Sequence, residues 1–173
     1  MSLADLALLA LRLVVGLTFA AHGAQKAFGW WNGPGYQGWQ KAMEGMRFQP
    51  APLWALASIG AELVGGLLVA IGLFTPIAVA VLVAQSVVII LKVHLPNGFW
   101  NSQKGYEYPL TLMAALAAIL GVGAGRLSLD AAIGLSLDAF VLWLLLAAGA
   151  LAGIAAYGLT QAQTDARTAP QQR

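Results

Sequence analysis

Six polar side chains stand out in an otherwise apolar chain: Arg12, His22, Lys26, Glu62, His94 and Glu107. A histidine beside a carboxylate can hold and pass a proton, and an Arg or Lys stabilises negative charge developing on an oxygen. That set suits a quinone head group, whose carbonyl oxygens gain protons on reduction, or a small oxyanion. His22, His94 and Glu107 are the candidate catalytic groups, and Arg12, Lys26, Glu62, Asn97, Tyr106 and Tyr108 the candidate ligand-binding groups. On a helical wheel Arg12 lies about 80° from His22 and about 40° from Lys26, so one helix would carry a cationic stripe. Arg12 and Glu62 each stand about nine residues inside an apolar run. A lone charge at the bilayer centre costs about 2.5–3.5 kcal/mol, so the two are expected to pair inside the bundle. A purely structural ion pair would account for them equally well.

The elements that must position these groups are spanning helices. Of 173 residues, 60% are hydrophobic and 9% charged, with a mean hydropathy of +0.76, whereas soluble domains carry about 25% charge. Zero cysteines exclude disulfides, thiol chemistry and iron–sulfur clusters. A net charge of +2 with no basic stripe gives no reason to expect nucleic acid. No ligand spacing such as HExxH supports a metal, and two histidines alone are weak support for haem, so neither is expected.

Five apolar runs, 3–21, 53–74, 77–93, 107–124 and 136–158, predict an all-α integral membrane bundle over 1–160, followed by a polar, disordered tail at 161–173. The leader before the first run has no Lys or Arg and carries Asp5, so that run is expected to stay as a helix. An odd number of crossings puts the termini on opposite sides. Gly16 and the pair Gly65-Gly66, each one turn from Arg12 or Glu62, would let the first two helices approach closely.

Two long connections, 23–52 and 94–108, share one face with Trp30, Trp31, Trp39, Trp54 and Trp100, and both histidines reach it. Tyr36, Trp39, Met43 and Met46 recur at near-helical spacing, predicting an amphipathic helix that lies on the interface or folds back as a lid. Bland alternatives exist for the loop residues: the histidines as loop-end hydrogen-bonding groups, and Asn97 as part of the Pro96-Asn97-Gly98 turn. The long-loop face and C-terminus hold Lys26, Lys41, Arg47, Lys92, Lys104, Arg167 and Arg173, against Arg126 on the other face. The positive-inside rule therefore places the long loops and C-terminus in the cytoplasm of a multi-pass cell-membrane protein.

Arg12, His22-Gly23-Ala24-Gln25-Lys26, Glu62-Leu63-Val64-Gly65-Gly66, His94-Leu95-Pro96-Asn97-Gly98-Phe99 and Gly105-Tyr106-Glu107-Tyr108-Pro109 together resemble the DoxX family of small membrane proteins. The resemblance implies a four-helix core, to which the fifth helix is an addition. It also implies association, in some members, with quinone-linked thiosulfate oxidation or with membrane redox complexes. The expected function is a redox subunit binding a quinone head group or small oxyanion, with electrons from the substrate or a partner protein. Partners would be the lipid bilayer, a redox protein and further copies of the chain. A transporter or channel for a small anion or metabolite, and an assembly scaffold whose charges only specify packing, are the competing readings.

Overall fold

A computed structural model describes residues 2–168, and all regular structure in that range is helical. Helix α1, Leu3–Phe28, starts from a capping box in which Ser2 and Asp5 satisfy each other's backbone N–H, and stops at left-handed Gly29. It runs seven residues beyond the expected end at 21, because Gln25 and Lys26 are good helix formers and Gly29 is the first effective stop. The short helix α2, Gly35–Gly45, is followed by α3, Ala51–Ile71, and α4, Thr75–Ile89. A π-helical turn, Ile90–His94, and a 3-10 turn, Leu95–Asn97, extend α4. Helix α5 is Glu107–Val122, α6 is Leu129–Ala132 and α7 is Ala139–Thr168.

Among the described residues, four segments are long and apolar enough to cross a bilayer: Leu3–Phe28, Ala51–Ile71, Thr75–Asn97 and Ala139–Gln163. Helix α5 is apolar but has 16 residues, about 24 Å against a hydrocarbon core of about 30 Å. The bundle alternates in direction and packs around Val15, Phe19, Val69, Val79, Leu82, Leu116 and Ile119. Residues 161–168, expected to belong to a disordered tail, continue α7. Polarity ends the apolar stretch there, but no Gly or Pro lies between Leu159 and Thr168 to break the helix. Residues 169–173 of that expected tail lie outside the described range.

Helices α1 and α3 meet backbone to backbone. A Cβ built on Gly16 would lie 2.5 Å from the Gly66 carbonyl and the Ala70 nitrogen, and one on Gly66 would lie 2.5 Å from the Ala20 nitrogen and Gly16 carbonyl. The expected close approach is thus present, as in other small-residue membrane interfaces. Gly66→Ala should therefore cost about 1–3 kcal/mol through overpacking despite its better helix propensity. The check is a lower thermal midpoint in detergent; an unchanged midpoint would show that the helices can separate freely. Helix α7 docks on α4 in the same way, with Gly153 against the Ala84 carbonyl and Val87.

This antiparallel register corrects the expected Arg12–Glu62 pair. Gly16 lies against Ala70, Ala20 against Gly66 and Gly23 against Leu63. Continuing one turn below Gly16 brings Arg12 opposite the α3–α4 turn, whereas continuing above Gly23 brings Lys26 opposite Glu62. Arg12, 1% exposed, donates instead to the carbonyls of Ala124 and Leu127, each at 2.5 Å, just beyond the short α5. Asp130 lies near enough to interact electrostatically with it. Asp130 also accepts from the backbone N–H groups of Phe74 and Thr75, at 2.7 and 2.9 Å, and so holds the start of α4. Gly72 must be glycine here: its φ is +69°, and a side chain would enter the space of the Arg12 guanidinium. The stripe predicted on α1 is therefore split between two ends of the bundle.

Candidate functional site

At the long-loop end, the last two turns of α1 and the middle of α3 bring Lys26 Nζ within 2.5 Å of Glu62 Oε1. Glu62 is 2% exposed, so the pair is largely removed from solvent and must be supported by other polar groups. Gln85 of α4 supplies that support, donating to Glu62 Oε1 at 3.2 Å and to Ser58 Oγ at 2.8 Å. Lys26 also reaches Ser58 at 3.4 Å and stands 4.2 Å from the Trp39 ring centre, a cation–π arrangement. Among the described residues, Glu62 Oε2 and Trp39 Nε1 are buried without a hydrogen-bond partner.

Trp39 comes from α2, which packs as a lid on the bundle rather than lying apart from it. Met43 is buried with Phe48, Ala51 and Ala55, and Tyr36, Trp39, Met46 and Trp54 pack around them. This is the lid alternative of the amphipathic pattern. Beneath it, Phe19, His22, Lys26, Trp39, Glu62, Ser86, Ile89, Val93, His94, Tyr108, Pro109 and Leu112 enclose a cavity of about 290 Å³. Its mouth is formed by exposed His22 and Tyr108, whose Nε2 and hydroxyl lie 3.4 Å apart. Its base is the Lys26–Glu62 pair.

His94 reaches the cavity from the π-helical turn, a form of helix frequent at functional sites. Its Nδ1 is 2.7 Å from the Lys104 carbonyl. A carbonyl can only accept, so Nδ1 carries the proton, and in the neutral ring Nε2 is left as an acceptor.

The expected site residues divide accordingly. His22, Lys26, Glu62, His94 and Tyr108 converge on one cavity. Arg12 does not belong to it, because the helix register carries it to the opposite end of the bundle. Glu107 instead accepts from the Asn101 backbone N–H at 2.8 Å, closing the loop before α5. Tyr106 stacks edge-on against Phe99, with ring centres 5.5 Å apart. Asn97 is exposed and donates to the Val93 carbonyl at 3.0 Å, the ordinary turn role. Gln85, Ser58 and Trp39 were not among the expected site residues. The signal for the first two was an amide and a hydroxyl at mid-helix positions, where each must find a partner.

The fold and this cavity define a helical membrane bundle with a partly buried polar site under an interfacial lid. The DoxX family model matches residues 7–95, just over half of the chain. The chain belongs to the DoxX family. No curated protein and no solved structure matches it.

Proposed function

We infer that this DoxX protein is a membrane redox subunit that binds a quinone head group in the cavity beneath α2. The observation that carries the reading is the combination of an apolar wall with two polar pairs. Phe19, Ile89, Val93, Pro109 and Leu112 suit a flat carbon ring, while His22–Tyr108 at the mouth and Lys26–Glu62 at the base suit its oxygens.

Charge separates the two ligand classes. With Arg12 elsewhere and Lys26 already balanced by Glu62, the cavity presents no uncompensated cation to a small oxyanion. A neutral head group loses nothing by that balance, so it is the better fit.

Reduction of a quinone takes up two electrons and two protons; the electrons come from a reduced substrate or a redox partner protein. The protein's own residues handle protons and position. The Tyr108 hydroxyl can donate to one ligand oxygen and be reprotonated through His22 beside it. Lys26, with two of its three N–H groups on Glu62 and Ser58, has one left for a ligand oxygen, where developing negative charge is stabilised. With Lys26 and Lys92 lining cavities, Lys41, Arg47 and Lys104 remain at the long-loop end against Arg126 at the other, which favours a cytoplasmic long-loop face.

Tyr108→Phe should weaken binding of a tail-less benzoquinone, whose oxygens only accept, and His94→Ala binding of its hydroquinone, whose O–H can donate to Nε2, each about tenfold, near the upper worth of a single hydrogen bond. Quenching of tryptophan fluorescence in purified protein measures this. Unchanged affinity in both variants, with normal expression, would remove the proposed head-group site.

A further inference from the structure

A second cavity, of about 210 Å³, lies behind the first. Its walls come from α2, α3, α4 and α7, with Ala57 and Ala61 on α3, Val81 and Ala84 on α4, and Ala152 and Ala156 on α7. Trp39, Ile89 and Val93 line both cavities, so the two share a wall. The polar groups of that shared layer are Ser58 and Gln85, which line the second cavity while bonding to each other and, through Gln85, to Glu62 of the first. Elsewhere the lining is almost wholly apolar, with Lys92 at the long-loop end.

The second cavity is open on one side. Ala57, Val81 and Ala152 are exposed on the helix faces that meet lipid, so the opening is lateral, between α3, α4 and α7. Small residues make this opening. Gly153 lets α7 approach the α4 backbone closely, while Ala57, Ala61, Ala84, Ala152 and Ala156 leave the space beside it unfilled. Helix α7 lies beyond the segment matched by the family model.

We propose that the two cavities form one bipartite site and that the ligand is a membrane-dissolved molecule with a long apolar chain, which lies in the second cavity and leaves between α3, α4 and α7. This rests on the head-group reading and adds the ligand's class and its route. The head stays against the Lys26–Glu62 pair. The chain passes Trp39, which lines both cavities and whose indole N–H is buried without a hydrogen-bond partner among the described residues. Each end of such a ligand meets its own chemistry: hydrogen-bonding groups for the oxygens, and methyl and methylene groups for the chain. The bilayer already solvates an apolar chain, so this cavity adds selectivity and orientation more than affinity.

The test uses the full-length protein in detergent with two benzoquinones of identical head group, one without a tail and one with a ten-carbon alkyl tail ending in a photoreactive diazirine. Ala156→Trp fills the second cavity from α7 without touching the first. The variant should bind the tailed probe about tenfold more weakly than the native chain does, and the tail-less probe equally well. Irradiated native protein should carry the label on α3 or α7 peptides around Ala57, Ala61, Ala152 and Ala156. Label on α1 or α5 around His22 and Leu112 would put the chain through the other mouth and overturn the proposal. So would binding of the tailed probe by the variant as tight as by the native chain. Failure of the native chain to bind either probe would overturn the head-group reading as well, whereas normal tail-less binding with misplaced label leaves that reading standing.

Discussion

Arg12→Leu is expected to reach the membrane normally and yet yield a bundle that comes apart readily. Two opposing effects decide this. Removing a charge from a spanning helix eases insertion, here by less than the cost of about 2.5–3.5 kcal/mol at a helix-centre position, because Arg12 stands level with the α3–α4 turn. In the folded chain, however, the guanidinium supplies the donors for the Ala124 and Leu127 carbonyls and lies beside Asp130. Truncating it leaves both part-buried carbonyls without donors, at about 1–3 kcal/mol each. The insertion gain is shared by every inserted state, folded or not, so it does not offset a loss confined to the folded one. Protein in the membrane fraction should therefore be undiminished, while the thermal midpoint in detergent drops by several degrees. Arg12→Lys should fall between, because an ammonium keeps the charge and loses the planar fork that reaches two carbonyls. Asp130→Asn should reproduce part of the loss, since the amide offers only one good acceptor where the carboxylate now serves the N–H groups of both Phe74 and Thr75. Wild-type stability in Arg12→Leu would mean that the cluster is incidental to the fold.

That cluster also shows where the sequence stops informing. Apolar runs reveal that helices span and roughly where, since a stretch of about 20 residues with few charges is long enough to cross the hydrocarbon and too apolar to face water. The glycines of α1 and α3 reveal which helices touch, because only small side chains allow such contact. Depth, by contrast, depends on the register between two helices, and register depends on where each one ends. A first helix stopping near 21 would set Arg12 level with Glu62; the extra two turns to Phe28 instead carry Lys26 to that level. Asp130 is hidden in the sequence for a related reason. It sits in a polar connection where an acidic residue is unremarkable, and only the inward fold of residues 123–130 under the short α5 gives it a buried role. At the site, His22, Lys26, Glu62 and His94 are legible because hydrogen-bonding groups near an apolar run are expensive unless used. Trp39 is legible as an interfacial aromatic but not as a wall of two cavities, since that depends on how α2 folds over the bundle.

The Lys26–Glu62 pair allows a sharper separation of structural from functional roles than any single substitution. Lys26→Met alone leaves a carboxylate that is 2% exposed with only Gln85 to serve it, and should cost about 3–5 kcal/mol. Combining Lys26→Met with Glu62→Gln removes both charges while keeping side-chain length and volume close to native. Replacement of a buried ion pair by neutral groups of similar shape is often neutral or stabilising, so the double variant should recover most of the lost midpoint. Gln85 can then donate to the carbonyl oxygen of the amide introduced at position 62, as it now does to Glu62 Oε1. What the double variant cannot restore is the charge that steadies a ligand oxygen gaining electron density, an effect worth about 2.7–4 kcal/mol where a comparable donor has been removed from an active site. A stable double variant with quinone reduction lowered about a hundredfold or more, and tail-less quinone binding changed far less, would mark the pair as part of the chemistry. A stable double variant that turns over at the native rate would instead assign the pair to helix packing, and with it the scaffold reading of the bundle.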